Sequence, residues 1–425
     1  MSTAVLERPA AVEPRRVSLL RRRDFRRLWV GETTSAFGSS VSSVALPLVA
    51  LTVLHAGVVA VAVLDGLVWL PWLVVGLPAG VWVDRLPRRA VMMACDVVSL
   101  LALVSVPLAV WTHVLTLAQL VVVGVAIGTS EVFFSTAYRA FLPALLAVDE
   151  LVEGNAHLQA AESAAQVAGP GAAGLLAQAA GAVSGVLVDA LSFAASFWCL
   201  RGLGGRERPV ERVRRSLRAD IATGLRFVLR DRLLRSLMAF GGAANLVLSG
   251  FGAILVVYLV RGVGLSAGAA GVMIAIGQTG AVAGAVLAPR MARAIGSARL
   301  VLAAKVGAVP FALLIPLSAP DWRLVFFVVG DIALAGGITA GNVVQRGFTQ
   351  SYVPLELMGR VNTSTQVVNY GLIPVGAVLG GLLAGALGFR STLWLLLGGL
   401  LLASLLLVAG PLRGLRDLPG ARSTT

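Results

Sequence analysis

The chain consists mostly of long apolar runs separated by short polar stretches. Twelve runs are long enough to be membrane-crossing helices, since a hydrocarbon core of about 30 Å takes about 20 helical residues. We predict these spans at residues 28–54, 58–83, 90–111, 114–138, 155–181, 183–203, 235–260, 265–289, 298–318, 322–345, 361–387 and 391–412. The pattern therefore predicts an all-α integral membrane protein with twelve transmembrane helices.

The longest polar stretch, residues 201–235, separates six spans from six. Its second part, 213–234, has apolar residues at helical spacing, which is typical of an amphipathic helix on a membrane surface. A solvated linker is the alternative for this stretch. The predicted organisation is a basic cytoplasmic tail at 1–27, a six-helix bundle at 28–203, a cytoplasmic linker at 204–234, a second six-helix bundle at 235–412 and a cytoplasmic tail at 413–425.

The two halves contain similar segments at nearly equal offsets, which indicates an internal repeat. The recurring pairs are 174–181 with 381–388, 141–143 with 352–354, and Gly80 and Arg89 with Gly284 and Arg293. Two halves of six spans, related by an axis along the membrane normal, are the architecture of a known class of secondary transporter. The repeat thus favours two pseudo-symmetric six-helix bundles.

Composition and charge agree with a membrane protein. Hydrophobic residues make up 57% of the chain and charged residues only 13%, whereas soluble domains contain about 25% charged residues. Of the 34 arginines and one lysine, 31 fall on one side of the predicted spans and three on the other, with Lys305 inside a span. The positive-inside rule then places both termini in the cytoplasm. No basic patch with interleaved aromatics occurs, so a nucleic-acid partner is not expected.

Cysteine and histidine usage argues against redox, metal or enzymatic chemistry. The two cysteines, Cys95 and Cys199, both lie in apolar runs, and the three histidines lack metal-ligand spacing. The single lysine does not follow a phosphate-binding glycine loop. No converging nucleophile set is evident. We therefore expect neither an enzyme nor a cofactor, and no metal site.

The most informative charged stretch joins spans two and three. It reads Gly80-Val-Trp-Val-Asp84-Arg85-Leu-Pro87-Arg88-Arg89. A charge at the centre of a membrane helix costs about 2.5–3.5 kcal/mol on insertion scales, so this decamer must be a surface turn. It resembles the loop between helices two and three of the major facilitator superfamily, with Pro87 where that motif usually has glycine. A basic turn alone would explain the arginines but not Gly80 and Asp84.

The resemblance implies a cytoplasmic gate. Asp84 would contact the start of span eleven near 359–362, where free helix N–H groups attract an anion. The arginines would pair with acids or lipid phosphates, and Asp96 would be their ion-pair partner. The predicted gating residues are Gly80, Asp84, Arg85, Arg88, Arg89 and Asp96.

Two further stretches resemble exporters of this superfamily. The segment Gly169-Pro170-Gly-Ala-Ala-Gly174 in span five resembles their Gly-Pro-x-x-Gly-Gly motif, with Ala173 replacing one glycine. Residues 23–29 and 189–193 are similar to those of the enterobactin and macrolide exporter branch. The resemblance implies that this helix favours export. The alternative is a packing kink at Pro170 without directional meaning.

Acidic residues at membrane depth are candidates for proton coupling, because an ionisable residue in a span is a functional hypothesis by default. A proton-coupled carrier needs a carboxyl group that binds a proton when buried and releases it when exposed or paired. Our candidates are Glu32, Glu131, Glu162 and Asp331, with a structural role as the alternative for each. Position 32 is often glutamine in similar sequences, so Glu32 departs from the pattern.

Spans seven and eleven are polar on one side, and such a stripe should face protein or water rather than lipid. The candidate substrate contacts are Asn245, Tyr258, Gln366, Asn369 and Tyr370. The combined prediction is a monomeric, proton-coupled exporter in a bacterial inner membrane. It would move a small amphipathic molecule, such as an antibiotic, siderophore or other secondary metabolite, by alternating access. An importer, a carrier for one metabolite without proton coupling, and a non-transporting receptor are the alternatives.

Overall fold

A computed structural model describes residues 19–83, 85–146, 150–204 and 217–419 of the chain. These residues are largely helical, and no strand occurs among them. The first half contains α1 (Arg23–Thr52), α2 (Val58–Val74), α3 (Gly76–Val83), α4 (Arg88–Trp111), α5 (Leu117–Leu145), α6 (Leu151–Ala180) and α7 (Val183–Arg201). The second half contains α8 (Leu217–Arg230), α9 (Arg232–Val257), α10 (Ala267–Ile295), α11 (Ser297–Gly307), α12 (Val309–Ala312), α13 (Leu324–Tyr352), α14 (Leu355–Leu387) and α15 (Phe389–Val408).

The described helices account for the twelve predicted spans. Ten segments are long and apolar enough to cross a membrane. One further span consists of α2, a shorter apolar helix, together with α3. The last is α6, which is long enough at 30 residues but is not among those ten apolar segments. The predicted all-α fold with twelve spans is confirmed.

Two spans that the sequence predicts as continuous are interrupted at prolines. The second span breaks at Val75, between α2 and α3, because Pro78 has no N–H to donate to Val74 and its ring clashes there. The ninth span breaks at Ala308, since Pro310 acts in the same way on Val306. A short 3₁₀ turn, Ile315–Leu317, completes that span. Hydropathy registers only apolar length, so it did not reveal these breaks.

The chain between the halves contains a helix, α8, which spans part of the predicted amphipathic stretch. Residues 205–216 lie outside the described part of the chain. The helix packs against the start of α14, where Gly224 faces the backbone of Arg360 so closely that a Cβ there would overlap it. Asp231 then caps α9 by accepting hydrogen bonds from the backbone N–H groups of Leu233 (2.9 Å) and Leu234 (3.0 Å). The described part of the linker is thus docked on the second half.

Helices α1 to α7 form one bundle, and α9 to α15 form the other. Arg27 and Arg89, near the starts of α1 and α4, donate to backbone carbonyls after α7. These helix ends therefore lie beside the chain that joins the bundles, and we call this the linker end. In the second bundle, Tyr352 donates to Asp231 (2.7 Å), which places the end of α13 beside the start of α9. The opposite end of the molecule is the far end.

The bundles pack against each other mainly through α6 with α10 and through α2 with α14. Small residues allow the helices to approach closely, as is usual in membranes. A Cβ at Gly174 would lie 3.0 Å from the Cα of Gly271, and one at Gly66 would lie 3.2 Å from the carbonyl oxygen of Pro374. Gly381 faces Ala62 in the same way. All these contacts lie in the far half of the molecule.

Candidate functional site

The first bundle encloses a cavity of about 970 Å³ in its linker half. Two helices supply polar stripes at helical spacing, so that each presents one polar face to the cavity. Helix α1 contributes Glu32, Ser35, Ser39 and Ser43, and α6 contributes Asn155, Gln159, Glu162 and Gln166. The polar face of α6 therefore lines the cavity and does not face lipid.

Four carboxyl groups line this cavity: Glu32, Asp96, Glu131 and Glu162. Glu131 and Glu162 are exposed to the open space, whereas Asp96 is fully buried. Oε1 of Glu32 is buried without a hydrogen-bond partner in the described chain. Glu162 accepts hydrogen bonds from Gln159 (3.2 Å) and Gln166 (3.3 Å). The structure therefore brings together three of the four predicted proton-coupling residues.

These carboxyl groups are close enough to one another to interact electrostatically. Glu32 has Glu131, Asp96 and Glu162 as its charged neighbours. Arg139 is the one basic residue among the described residues of the lining. The described lining therefore gathers four acids and one arginine around one space.

Asp96 does not form the ion pair that the sequence predicts. Both of its carboxylate oxygens are buried, and neither forms a salt bridge with an arginine among the described residues. Asp96 lies two helical turns along α4 from Arg89, roughly 10 Å deeper in the bundle. Its charged neighbour is Glu131 rather than a loop arginine. Asp96 thus belongs to the acid cluster, not to the gate.

Asp331 also differs from the prediction. It is 6% exposed and packs between α13 and α10, where a Cβ at Gly277 would collide with its carboxyl group. It does not line either of the two cavities described here. The helical face that it occupies turns toward a neighbouring helix of the same bundle. Membrane depth alone could not distinguish that face from the cavity face.

The second bundle encloses a cavity of about 510 Å³, also in its linker half. Four of the five predicted substrate contacts line it: Asn245, Gln366, Asn369 and Tyr370. Oδ1 of Asn369 is buried and has no partner in the described structure. The lining of this cavity is therefore partly polar.

The fifth predicted contact, Tyr258, is not in the cavity. Its side chain is fully buried near the far end, and its hydroxyl lies 3.1 Å from the carbonyl oxygen of Ile315 and 2.7 Å from Oγ of Ser318. A hydroxyl with two internal partners stabilises the bundle and is not available to substrate. Tyr258 begins a π-helical turn, Tyr258–Gly262, and lies 13 residues after Asn245. At about 100° per residue, that spacing places it on the side of α9 away from the polar stripe.

Sequence reasoning missed the charged residues of the second cavity. Lys305 is buried and lines the cavity together with the exposed Arg346. No acidic residue is among the described residues of this lining. The signal was present, because an ionisable residue within a span is a functional hypothesis by default. We had applied that rule to acids only.

The predicted gating motif is only partly visible. Asp84 lies outside the described residues, so its contact with the start of α14 stays a prediction. Gly80 lies in α3, and Arg85 is exposed in the turn that follows. Arg88 is 7% exposed. Arg89 donates to the carbonyl oxygens of Leu203 (2.6 Å) and Arg201 (2.5 Å), which ties α4 to the end of α7.

The predicted export motif lies where α6 crosses two helices. Gly169 faces Ser40 of α1 so closely that a Cβ would lie 2.5 Å from the Cβ of Ser40. Pro170 and Gly174 face Gly271 of α10 in the other bundle. Helix α6 runs unbroken through Pro170. The motif therefore forms a tight crossing at the bundle interface, which a transporter must loosen to open its far end.

A hydrogen-bonded latch joins the bundles at the far end. Arg261, at the end of α9, donates to the carbonyl oxygens of Ala56 (2.9 Å) and Leu51 (3.3 Å) in the first bundle. Closer to the middle, Tyr370 packs edge-on against Trp72, with ring centroids 5.1 Å apart. These contacts, with the glycine crossings, hold the far end closed.

Replacing Arg261 with glutamine is expected to favour opening of the far end. Charge-assisted hydrogen bonds contribute enough that losing them shifts the equilibrium about tenfold. A cysteine placed at Ala62, which is 0% exposed between the bundles, should then react correspondingly faster with a membrane-impermeant maleimide. The matched control is Arg323→Gln, because Arg323 pairs with Asp321 of the same loop (2.9 Å) and does not join the bundles. Equal labelling in both variants would contradict the latch.

Two helical bundles in contact at one end, each with a polar cavity toward the other, are the architecture of a multi-pass membrane transporter. The chain belongs to the Major Facilitator Superfamily, whose family model matches residues 28–376. Among the described residues, no group of His, Cys, Asp or Glu is arranged to hold a metal ion.

The chain is similar to curated and structurally characterised transporters. It is 28% identical to the multidrug efflux pump Tap of Mycolicibacterium fortuitum, over 84% of this chain and 88% of that protein. It is 30% identical to the multidrug efflux pump Tap of Mycobacterium tuberculosis, with 84% and 86% covered. A bacterial homologue of the iron transporter ferroportin in its inward-facing state has a TM-score of 0.73 at 18% identity, with 91% and 98% covered.

A bacterial homologue of the iron transporter ferroportin in its outward-facing state has a TM-score of 0.63 at 19% identity, with 91% and 99% covered. These likenesses concern the fold.

Proposed function

We propose that this protein exports small amphipathic molecules across a bacterial plasma membrane in exchange for protons. The observation that carries this proposal is the four-carboxyl cavity of the first bundle, next to a second polar cavity in its partner bundle. The names of the Tap relatives, which are multidrug efflux pumps, support export. The proton gradient would be the energy source, so no bound cofactor is needed, and each chain would work alone.

The linker end faces the cytoplasm in this proposal. The 31 arginines that the span pattern assigns to one side include those of the linker, and the positive-inside rule keeps such residues in the cytoplasm. The described conformation is then inward-open, with both cavities available to cytoplasmic substrate. Both termini would be cytoplasmic.

Transport would follow from rocking of the two bundles around the central cavities. Substrate enters from the cytoplasm while the Arg261 hydrogen bonds and the glycine crossings keep the far end closed. Opening of the far end breaks those contacts, and the linker end closes. Asp84 would then contact the start of α14 and close the cytoplasmic gate. Protons that bind the acid cluster from outside would be released to the cytoplasm in the return step.

The proposal is tested by dye efflux from bacterial cells that lack their own major efflux pumps. Cells that express the protein are loaded with ethidium or rhodamine dyes, and efflux is followed by fluorescence with and without a protonophore. We expect faster efflux than in cells with empty vector, and loss of that difference when the protonophore is added. Faster accumulation would identify an importer. No effect on any dye, at verified membrane expression, would contradict a multidrug exporter.

A further inference from the structure

The unusual group in the second bundle is a buried ammonium without a counter-ion. Lys305 is 4% exposed on α11 and is the single lysine of the chain. Its Nζ donates to Oδ1 of Asn342 (3.0 Å) and to Oε1 of Gln345 (2.6 Å). No carboxylate in the described structure lies within salt-bridge distance of it.

Its neighbours hold this ammonium in place. The methylene stem of Lys305 passes Gly341 so closely that a Cβ there would lie 2.7 Å from Cγ and Cε. Nζ lies 5.2 Å from the centroid of the Phe240 ring, a favourable cation–π position. Glycine at position 341 thus makes room for the stem, and the ring and the two amides fix the charged end. The group is positioned before any ligand binds.

The local interactions leave part of the charge unsatisfied. An ammonium has three N–H donors, and the two amide oxygens account for two of them. Neutral dipoles stabilise a buried charge less than an opposite charge does. The described lining of the cavity offers two basic residues, Lys305 and Arg346, and no acid. A molecule that enters the cavity can therefore supply the counter-ion that the described lining lacks.

We propose that the second-bundle cavity is a subsite for the carboxylate group of the transported molecule, with Lys305 as its ligand. This inference rests on the proposed transport function and names its substrate class. The first cavity carries four carboxyl groups and the second carries cationic groups, so the molecule that complements both is a zwitterion. The preferred substrates are amphipathic molecules with a cationic amine and a carboxylate.

Rhodamine B and its ethyl ester provide a matched pair of probes. Both carry the same cationic ring system, and only rhodamine B has a free carboxylate. Binding to the full-length purified protein is measured by fluorescence anisotropy, which does not depend on transport. We expect the wild type to bind rhodamine B about tenfold more tightly than the ester, the size of one charge-assisted hydrogen bond.

The variant Lys305→Met keeps the length of the side chain and removes its charge. We expect this variant to bind rhodamine B about tenfold more weakly and the ester as the wild type does. Arg293→Met is the matched control, since it removes an exposed cation from the same bundle and should change neither affinity. Lys305→Arg keeps the positive charge and tests whether the shape of the lysine side chain matters. Gly341 leaves room for a lysine stem, and the planar guanidinium of arginine does not reproduce the geometry of the ammonium.

Three results would overturn the subsite. The wild type could bind rhodamine B and its ester with equal affinity, or Lys305→Met could bind rhodamine B as tightly as the wild type does. The third is that Lys305→Met loses affinity for both probes equally, which would mean that the lysine only supports the fold. Failure of the proposed export would look different. In that case the anisotropy difference between acid and ester persists in the wild type, while neither dye leaves cells faster than in the empty-vector control.

Discussion

Replacing Glu32 with glutamine is expected to abolish proton-driven export. Glutamine has nearly the same shape as glutamate but cannot release a proton. Glu32 is the acid on α1 whose buried Oε1 lacks a partner and whose charged neighbours are the other acids of the cluster. A pH gradient imposed on inverted membrane vesicles should drive uptake of an exported dye in the wild type. In Glu32→Gln, uptake should fall to the level of vesicles without the protein.

The same vesicles can separate coupling from substrate binding. With equal pH on both sides, exchange of internal for external dye needs no net proton movement, so Glu32→Gln should retain it. Glu153→Gln is the matched control, because Glu153 is exposed on α6 and lies outside the described lining of the cavity. Gradient-driven uptake by Glu32→Gln at the wild-type rate would show that Glu32 is not the coupling residue. The same assay would then be applied to Glu131→Gln.

Replacing Gly271 with alanine is expected to stop transport by preventing closure of the far end. A Cβ at this position would lie 2.9 Å from the Cα of Gly174 and would overlap the backbone carbonyl of Pro170. These are backbone atoms, which cannot rotate away as a flexible side chain can. The bundles would have to separate at the crossing of α6 and α10, so the described state, with its far end closed, would lose stability relative to a state with that end open.

Two measurements check this expectation together. Dye efflux should be lost, and a cysteine at Ala62 should react faster with an impermeant maleimide. Gly171→Ala is the matched control on the same crossing, since a Cβ at Gly171 would meet Ala275 at 3.4 Å, an ordinary contact. Normal efflux by Gly271→Ala would mean that the crossing can widen without cost. Lost efflux without increased labelling would mean that the variant fails for another reason, such as misfolding.

Much of the fold could be predicted because lipid imposes strong rules. A backbone in hydrocarbon must satisfy its hydrogen bonds internally, which a single apolar run of about 20 residues does as a helix, so hydropathy located the twelve spans. Prolines 78 and 310 were visible in the sequence, but an apolar count does not register a missing N–H donor. The helices also extend beyond several predicted spans, as α1 does by starting at Arg23. Backbone hydrogen bonding continues past the last apolar residue, and hydropathy does not register it.

The candidate site was predicted less completely, and the errors share one cause. Membrane depth identified Glu32 and Asp331 as unusual, but depth does not say which way a side chain points. Asp331 faces Gly277 within its own bundle. Asp96 lies in the acid cluster, and Tyr258 hydrogen-bonds inside the bundle. Each outcome depends on helix rotation about its axis, which neighbouring helices set through packing.

The sequence by itself determined the class of protein, the number of spans and the segments that carry charge, because these follow from local chemistry between a helix and its solvent. The tertiary structure decided which polar residues share a cavity, that Lys305 is buried beside Asn342 and Gln345, and that Arg261 joins the bundles. Such contacts unite residues that are 37 to 210 positions apart. They depend on how helices pack against one another, and no local pattern records that.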